Sequence, residues 1–177
     1  MLCGNEETKN RNGEEKMEHA NYWDEFEYSK LKLLLNDKKV NSILAVRNGI
    51  KKMDEQFPIS VELHLTDRCN LHCEWCTDRE LRKNGATLDC GVTEKLMCEF
   101  GTHGTGVTLE GGGEPTLHPH FRQVVEAGEK HHVDMGLISN GTTDISDCVS
   151  RLKWVRVSLD SSTEAEYQGE KGIDCFG

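Results

Sequence analysis

The sequence predicts an α/β fold built on a parallel β-sheet of about four βα units, preceded by N-terminal helices. Two observations carry this prediction. From residue 59 onward, short apolar runs typical of strands alternate with segments of helical periodicity. In addition, the cysteine and glycine clusters directly follow such strands, and parallel α/β sheets collect their ligands at the carboxyl ends of the strands.

The composition limits the class of protein. The chain has 177 residues, enough for one domain with a sizeable core, and its 21 basic and 31 acidic side chains give a net charge of -10. This charge disfavours a broad phosphate-binding surface, so nucleic acid is not an expected partner. No stretch approaches the roughly 20 apolar residues of a membrane span, and residues 1–20 contain no apolar signal core. We therefore expect a cytoplasmic protein with no membrane partner.

The N-terminal part differs in pattern from the rest. Residues 1–20 are rich in Asn, Glu and Lys and have no hydrophobic periodicity, which predicts a disordered tail. Residues 21–56 predict two helices, over 22–35 and 38–53. The apolar face of the second is predicted to carry Val40, Ile43, Leu44 and Ile50. The predicted organisation is thus a tail at 1–20, helices at 21–56 and an α/β core at 57–177.

Within the core, strands and helices are predicted in alternation. The predicted strands are 59–65, 107–110, 133–142 and 154–162. Between them, 77–85 is compatible with a helix, and helices are predicted over 92–100, 118–130 and 145–153, with Gly101 ending the first. A capping box from Thr163 to Glu166 predicts a further helix after the fourth strand.

Three of the eight cysteines follow the first strand. Cys69, Cys73 and Cys76 have C-x3-C-x2-C spacing, and in a reducing compartment such clusters are more often metal ligands or redox groups than disulfides. Structural zinc, one alternative, uses four ligands, and no fourth Cys or His has an obvious partner spacing. Three thiolates on a four-iron cluster instead leave one iron open to a substrate or cofactor. Cys98 and Cys148 lie on apolar helical faces and are predicted to be buried small hydrophobes.

The segment "CNLHCEWC" resembles the cluster motif of radical S-adenosylmethionine (radical SAM) enzymes, whose three cysteines hold a [4Fe–4S] cluster. The "GGGEP" turn after the second strand resembles the family's Gly-Gly-Glu-Pro turn. Weaker resemblances are "SNGT" at 139–142 and "VSLD" at 157–160. Together they cover about residues 57–172 and imply the family's parallel (βα) barrel, here a partial one.

The resemblance implies a set of ligands and a reaction. Cys69, Cys73 and Cys76 are implied to hold the cluster, and SAM to chelate the open iron. The residues implied to bind SAM are Trp75, which packs on it, Gly112, Gly113 and Glu114, which hold its amino group, and Ser139, Asn140, Ser158 and Asp160, which line the pocket. Reductive cleavage of SAM is then implied to form a 5′-deoxyadenosyl radical. This radical abstracts a hydrogen atom from a substrate, which is a peptide or cofactor precursor. The electron comes from a low-potential donor such as flavodoxin or ferredoxin.

The chain departs from the family in its number of strands. The family's barrel has six βα units, whereas four strands are predicted here. We expect a truncated or fragmentary barrel; a natural short form and a partner chain that completes the barrel are the alternatives. The alternative function is a non-catalytic iron–sulfur or metal-binding module, an inactive remnant of such an enzyme.

Overall fold

The computed structural model describes residues 37–53 and 56–172, so the predicted tail at 1–20 and the predicted helix at 22–35 lie outside the described residues. Its four strands, β1 (Ser60–Leu63), β2 (Gly106–Leu109), β3 (Met135–Ser139) and β4 (Trp154–Val157), form one parallel sheet in chain order. The α-helices are α1 (Asp37–Arg47), α2 (Cys90–His103), α3 (Phe121–Lys130) and α4 (Glu164–Lys171). The predicted α/β class and the four strands are confirmed. Among the described residues, no helix has both the length and the apolar character needed to cross a membrane.

The core lies between one face of the sheet and helices α2 and α3. Alternate residues of a strand point to the same face, which places Val107 and Leu109 of β2 beside Leu137 of β3. Helix α3 buries Phe121 and Val124, which are one helical turn apart, against this face. The two middle strands are therefore the most buried, and they carry the turns of the site at their carboxyl ends.

The boundaries of α2 differ from the prediction. The helix begins at Cys90, after the side chain of Asp89 accepts hydrogen bonds from the backbone N–H groups of Gly91 and Val92, and it ends at His103. Gly101 lies inside the helix instead of ending it. A Cβ atom at Gly101 would lie 2.0 Å from the carbonyl oxygen of His131, so this glycine allows α2 to approach the end of α3 closely.

Helix α1 is shorter than predicted and more exposed. It ends at Arg47 instead of Met53, because Gly49 follows in a left-handed conformation with φ of 68°. Of its predicted apolar face, Ile43 and Leu44 are exposed and Ile50 is 80% exposed. Apolar spacing in this segment therefore did not correspond to a buried face.

The segment predicted as a helix over 145–153 contains only a short 3-10 turn, Val149–Arg151. Asp144 accepts a hydrogen bond from the backbone N–H of Ser146 at 2.9 Å, and such local side-chain bonds compete with a helix. Its apolar residues Ile145, Cys148 and Leu152 nevertheless pack against the core. The segment 77–85 likewise contains a 3-10 turn, Leu81–Asn84. The segment 118–130 follows a 3-10 turn, Pro115–Leu117.

Helix α4 begins as its capping box predicts. The hydroxyl of Thr163 accepts a hydrogen bond from the backbone N–H of Glu166 at 3.3 Å. The Glu166 carboxylate in turn accepts a hydrogen bond from the backbone N–H of Ser162, also at 3.3 Å. The opposite end of α4 meets the loop that carries the cysteines.

Candidate functional site

Two of the predicted motifs are joined through the backbone. The cysteine loop (residues 69–76) follows β1, and the glycine turn (residues 111–114) follows β2. The backbone N–H of Gly113 donates to the carbonyl of Thr66 at 3.0 Å, and that of Glu114 donates to the carbonyl of Arg68 at 2.8 Å. These bonds hold the glycine turn directly against the chain that enters the cysteine loop.

The close approach of these two segments requires glycine. A Cβ atom at Gly113 would lie 2.1 Å from the carbonyl oxygen of Arg68, and one at Gly112 would lie 2.9 Å from Oδ1 of Asp67. Gly111 has φ of 97° and lies under the imidazole of His64. The turn is therefore a cradle of backbone atoms with no room for side chains at these positions.

Glu114 joins the glycine turn to the SNGT turn (residues 139–142), which follows β3. Its side chain is buried, and its Oε1 accepts hydrogen bonds from the hydroxyls of Thr116 at 2.7 Å and Ser139 at 2.8 Å. Its Oε2 accepts from the backbone N–H of Asn140 at 2.7 Å. Because both carboxylate oxygens already have donors from the protein, Glu114 holds the ends of β2 and β3 together.

A second connection runs from the cysteine loop to the SNGT turn. The side-chain amide of Asn140 donates to Oδ1 of Asn70 at 2.9 Å, and that of Asn70 donates to the hydroxyl of Thr142 at 2.9 Å. The hydroxyl of Thr142 donates in turn to Oδ1 of Asn140 at 2.7 Å. The cysteine loop, the glycine turn and the SNGT turn thus form one hydrogen-bonded unit at the carboxyl end of the sheet.

The three thiols of the cysteine loop are half-buried. Burial raises the pKa of Cys73, the neighbouring Cys69 and Cys76 add to the rise, and the Lys171 ammonium opposes it. The guanidinium of Arg79 donates to the carbonyls of His72 at 2.5 Å and Cys73 at 2.6 Å and so fixes the course of the loop. Cys98, predicted to be buried, is exposed on α2, whereas Cys148 is buried as predicted.

The residues around these thiols suit a multi-iron cluster. Across 37–53 and 56–172, no three Cys, His, Asp or Glu side chains converge closely enough to bind a single metal ion. A cluster has a different geometric requirement, because each thiolate binds a different iron. A cavity of about 420 Å³ reaches Cys69 and is lined by Arg82, whose buried Nε has no hydrogen-bond partner in the described part of the chain. The soft thiol of Cys69 beside an open cavity with an unused donor fits one ligand of a [4Fe–4S] cluster.

The other predicted SAM-binding residues lie around this unit with different contacts. Trp75 is 50% exposed at the surface of the cysteine loop. Ser158 contacts the SNGT turn through its backbone N–H, which donates to the carbonyl of Ser139 at 2.8 Å. Asp160 is separate from that contact, because its carboxylate pairs with the ammonium of Lys171 on α4.

Glu110, at the end of β2, is a titratable group next to the glycine turn. Partial burial raises its pKa, and a hydrogen-bonded carboxyl group, Glu62 of β1, adds to the rise; Arg156 and His64 oppose it. A raised pKa stabilises the folded protein below the ordinary carboxyl pKa, and this contribution is lost as the pH rises through the raised value.

Replacing Glu110 by glutamine should therefore stabilise the protein at neutral pH and have little effect in acid. Because the site is partly exposed, we expect a rise in Tm of at most ~2 °C at pH 7, measured by thermal unfolding across the pH range. Glu166→Gln serves as the opposite control, since hydrogen bonds from Thr163 and Ser162 lower the pKa of Glu166. The expectation would be contradicted if Glu110→Gln lowered the Tm at neutral pH, or raised it more in acid than at neutral pH.

Sequence reasoning missed four residues that the fold brings to the site. Asn70 lies inside the cysteine motif, and its amide could have been predicted to form hydrogen bonds at the site. Arg79 and Arg82 lie in a segment read only as a polar helix-compatible stretch, and Lys171 lies about a hundred residues beyond the cysteines. Their roles depend on contacts between distant segments, which spacing does not reveal.

No family model matches the chain. A relative from Thermoplasmatales archaeon (strain ISO4-H5), an S-adenosylmethionine-dependent nucleotide dehydratase, is 31% identical over 112 residues, which are 60% of this chain and 40% of the relative. Mycofactocin maturase MftC from Mycobacterium ulcerans (strain Agy99) is 28% identical over 143 residues, which are 72% of this chain and 38% of the relative. The chain thus spans about two fifths of the length of these curated relatives.

Solved structures share the fold at low sequence identity. Streptococcus suis SuiB bound to precursor peptide SuiA has a TM-score of 0.57 and 15% identity, and the match covers 77% of this chain and 31% of SuiB. BtrN in complex with AdoMet and 2-DOIA has a TM-score of 0.51 and 15% identity, with 65% and 51% of the two chains covered. These neighbours are radical SAM (βα) barrel proteins, and the four-stranded parallel sheet with its helices shares the fold of part of them. These relatives and structural neighbours are radical SAM enzymes, and this chain is similar to part of them.

Proposed function

We propose that this chain forms the cluster- and SAM-binding part of a radical SAM enzyme, in which Cys69, Cys73 and Cys76 hold a [4Fe–4S] cluster. The observation that supports the proposal most is the hydrogen-bonded unit of the cysteine loop, the glycine turn and the SNGT turn. The three cysteines and a cradle of backbone atoms are thereby held at the same end of one sheet. Parallel sheets bind their ligands at this end.

The chain's own residues bind and orient SAM in this proposal. The backbone of Gly112 and Gly113 holds the SAM amino group, because side chains are absent there and the Glu114 carboxylate already accepts hydrogen bonds on both of its oxygens. Trp75 packs on SAM, and Ser139, Asn140, Ser158 and Asp160 complete the pocket wall, Asp160 on the side of α4. When bound, the cluster supplies the electron that cleaves SAM to methionine and a 5′-deoxyadenosyl radical, which abstracts a hydrogen atom from the substrate.

The relatives support a class of substrate. A maturase of mycofactocin is among them, which supports a peptide or cofactor precursor as the substrate class. The proposed reaction also needs a low-potential electron donor such as flavodoxin or ferredoxin in the cytoplasm. The proposed arrangement has N-terminal helices up to residue 56, a barrel part from 57 to 177, and a partner chain or further segment that completes the barrel.

The proposal is tested by anaerobic reconstitution of the full chain with iron and sulfide. We expect the visible absorption of an iron–sulfur cluster and, after reduction with SAM present, formation of 5′-deoxyadenosine. Cys73→Ala should lose both signals to background, because two thiolates do not hold the cluster. Iron content, absorption and product are measured on the same samples.

Cys98→Ala is the matched control, since Cys98 is an exposed thiol on α2 outside the site. It should retain both iron and product formation. Full retention of iron in Cys73→Ala would overturn the proposal. A cluster without SAM cleavage would support a non-catalytic iron–sulfur module, and a tightly bound colourless metal without iron would support structural zinc.

A further inference from the structure

We infer that Arg82 and Lys171 are positioning residues that raise the reduction potential of the cluster in the cysteine loop, Arg82 by an N–H···S hydrogen bond and Lys171 by a buried charge. This inference rests on the proposed function, because it concerns the cluster proposed there. Neither residue belongs to a motif of the sequence. They approach the loop from different elements, the 3-10 turn Leu81–Asn84 and helix α4.

Arg82 makes a direct contact with a ligand thiol. Its Nη2 donates to Sγ of Cys76 at 3.2 Å. The Nε of the same guanidinium is buried without a partner in the described chain, beside the cavity that Cys69 lines. Arg82 thus has one donor on a cluster ligand and a second donor free for a sulfur atom of the cluster.

Lys171 of α4 brings a charge to the cysteine loop. It is 2% exposed, its ammonium pairs with the Asp160 carboxylate, and its Nζ lies 5.3 Å from the ring centroid of Trp75. The helix that carries it is bonded to the loop, because the backbone N–H of His72 donates to the carbonyl of Lys171 at 2.8 Å. The backbone N–H of Glu74 donates to the carbonyl of Glu170 at 3.1 Å. The position of the ammonium next to Trp75 of the cysteine loop is therefore fixed by α4.

The sign of the effect follows from electrostatics. Reduction adds one negative charge to the cluster, and a nearby positive charge or an N–H···S bond stabilises the added charge. Lys171 is shielded from water, so its field is screened less than that of a surface lysine. Removing either residue should therefore make the potential more negative.

The test is a redox titration of the reconstituted full chain, monitored by the electron paramagnetic resonance of the reduced cluster. Arg82→Gln and Lys171→Gln should each shift the potential to more negative values, with the larger shift for Arg82, which contacts the thiol. Lys171→Arg should restore most of its shift because it retains the charge. Asp160 is 42% exposed and stays hydrated when Lys171 is replaced, so the variant leaves no unpaired buried charge.

Lys153→Gln is the matched control. Lys153 lies next to the amino end of β4, is 67% exposed and pairs with Asp134 at 3.6 Å. Its replacement by glutamine changes the net charge of the protein by the same amount as Lys171→Gln, but at a position away from the cysteine loop. Unchanged potentials in both Arg82→Gln and Lys171→Gln would overturn the inference and leave the proposed function intact. If Arg82→Gln takes up no iron, the test rests on Lys171→Gln, and an unchanged potential in that variant overturns the inference. Failure of the unmodified chain to take up a cluster would overturn the proposed function, and the inference with it.

Discussion

Replacing Glu114 by glutamine is expected to lower the free energy of unfolding by about 3 kcal/mol. The carboxylate is buried and accepts hydrogen bonds on both oxygens, from the side chains of Thr116 and Ser139 and from the backbone N–H of Asn140. An amide has only one accepting oxygen, so its NH2 group would face a backbone N–H in either orientation, that of Asn140 at 2.7 Å or that of Thr116 at 3.1 Å. The loss is measured by urea denaturation of the cluster-free protein.

Glu99→Gln is the control for this change. Glu99 is an exposed residue of α2 whose contact with His103 is long, 3.9 Å, so its replacement should cost less than about 0.5 kcal/mol. An equal stability of Glu114→Gln and Glu99→Gln would show that the Glu114 network does not hold the ends of β2 and β3 together.

Replacing Gly113 by alanine is expected to destabilise the protein by about 3 kcal/mol, at the upper end of the range for overpacked sites. The added Cβ would lie 2.1 Å from the carbonyl oxygen of Arg68 and 2.6 Å from the carbonyl carbon of Asp67. Both are backbone atoms, so no side-chain rotation relieves the clash. The glycine turn must move away from the cysteine loop, and we also expect iron uptake to fall.

The control of opposite sign is Gly169→Ala. Gly169 lies in α4 and has no atom within 4 Å of an added Cβ, so alanine should stabilise the helix by about 0.5–1 kcal/mol. Both variants are measured by urea denaturation and by iron content after reconstitution. A Gly113→Ala protein as stable as the original would rule out the close packing of the glycine turn on the cysteine loop.

The features that sequence predicted well depend on local or alternating patterns. Strand positions were recognised because side chains alternate with a period of two, and the end of each strand was marked by glycine or polar residues. Thr163 was recognised as a helix cap because capping joins residues three positions apart. These patterns are short-range, so they are visible before the chain folds.

The wrong predictions have two kinds of physical cause, tertiary contacts and local backbone or side-chain effects. Gly101 was predicted to end α2, yet its role is to let the end of α3 pass at His131. The segment 145–153 has helical spacing and buries Cys148, but it forms only a 3-10 turn between two strands. Spacing predicted which residues of this segment face the core and failed to predict the backbone that presents them.

For the candidate site, the sequence by itself determined the chemical groups and the end of the sheet at which they lie. It supplied three soft thiols after the first strand, glycines after the second and polar turns after the third, and parallel pairing brings all strand ends to one edge. Only the tertiary structure decided what each group contacts. In the tertiary structure the Glu114 carboxylate links the ends of two strands, Asp160 pairs with Lys171, and Arg82 donates a hydrogen bond to Cys76. The physical reason is that hydrogen bonds and ion pairs act over a few ångströms between segments that are tens of residues apart, and spacing along the chain carries no information about those distances.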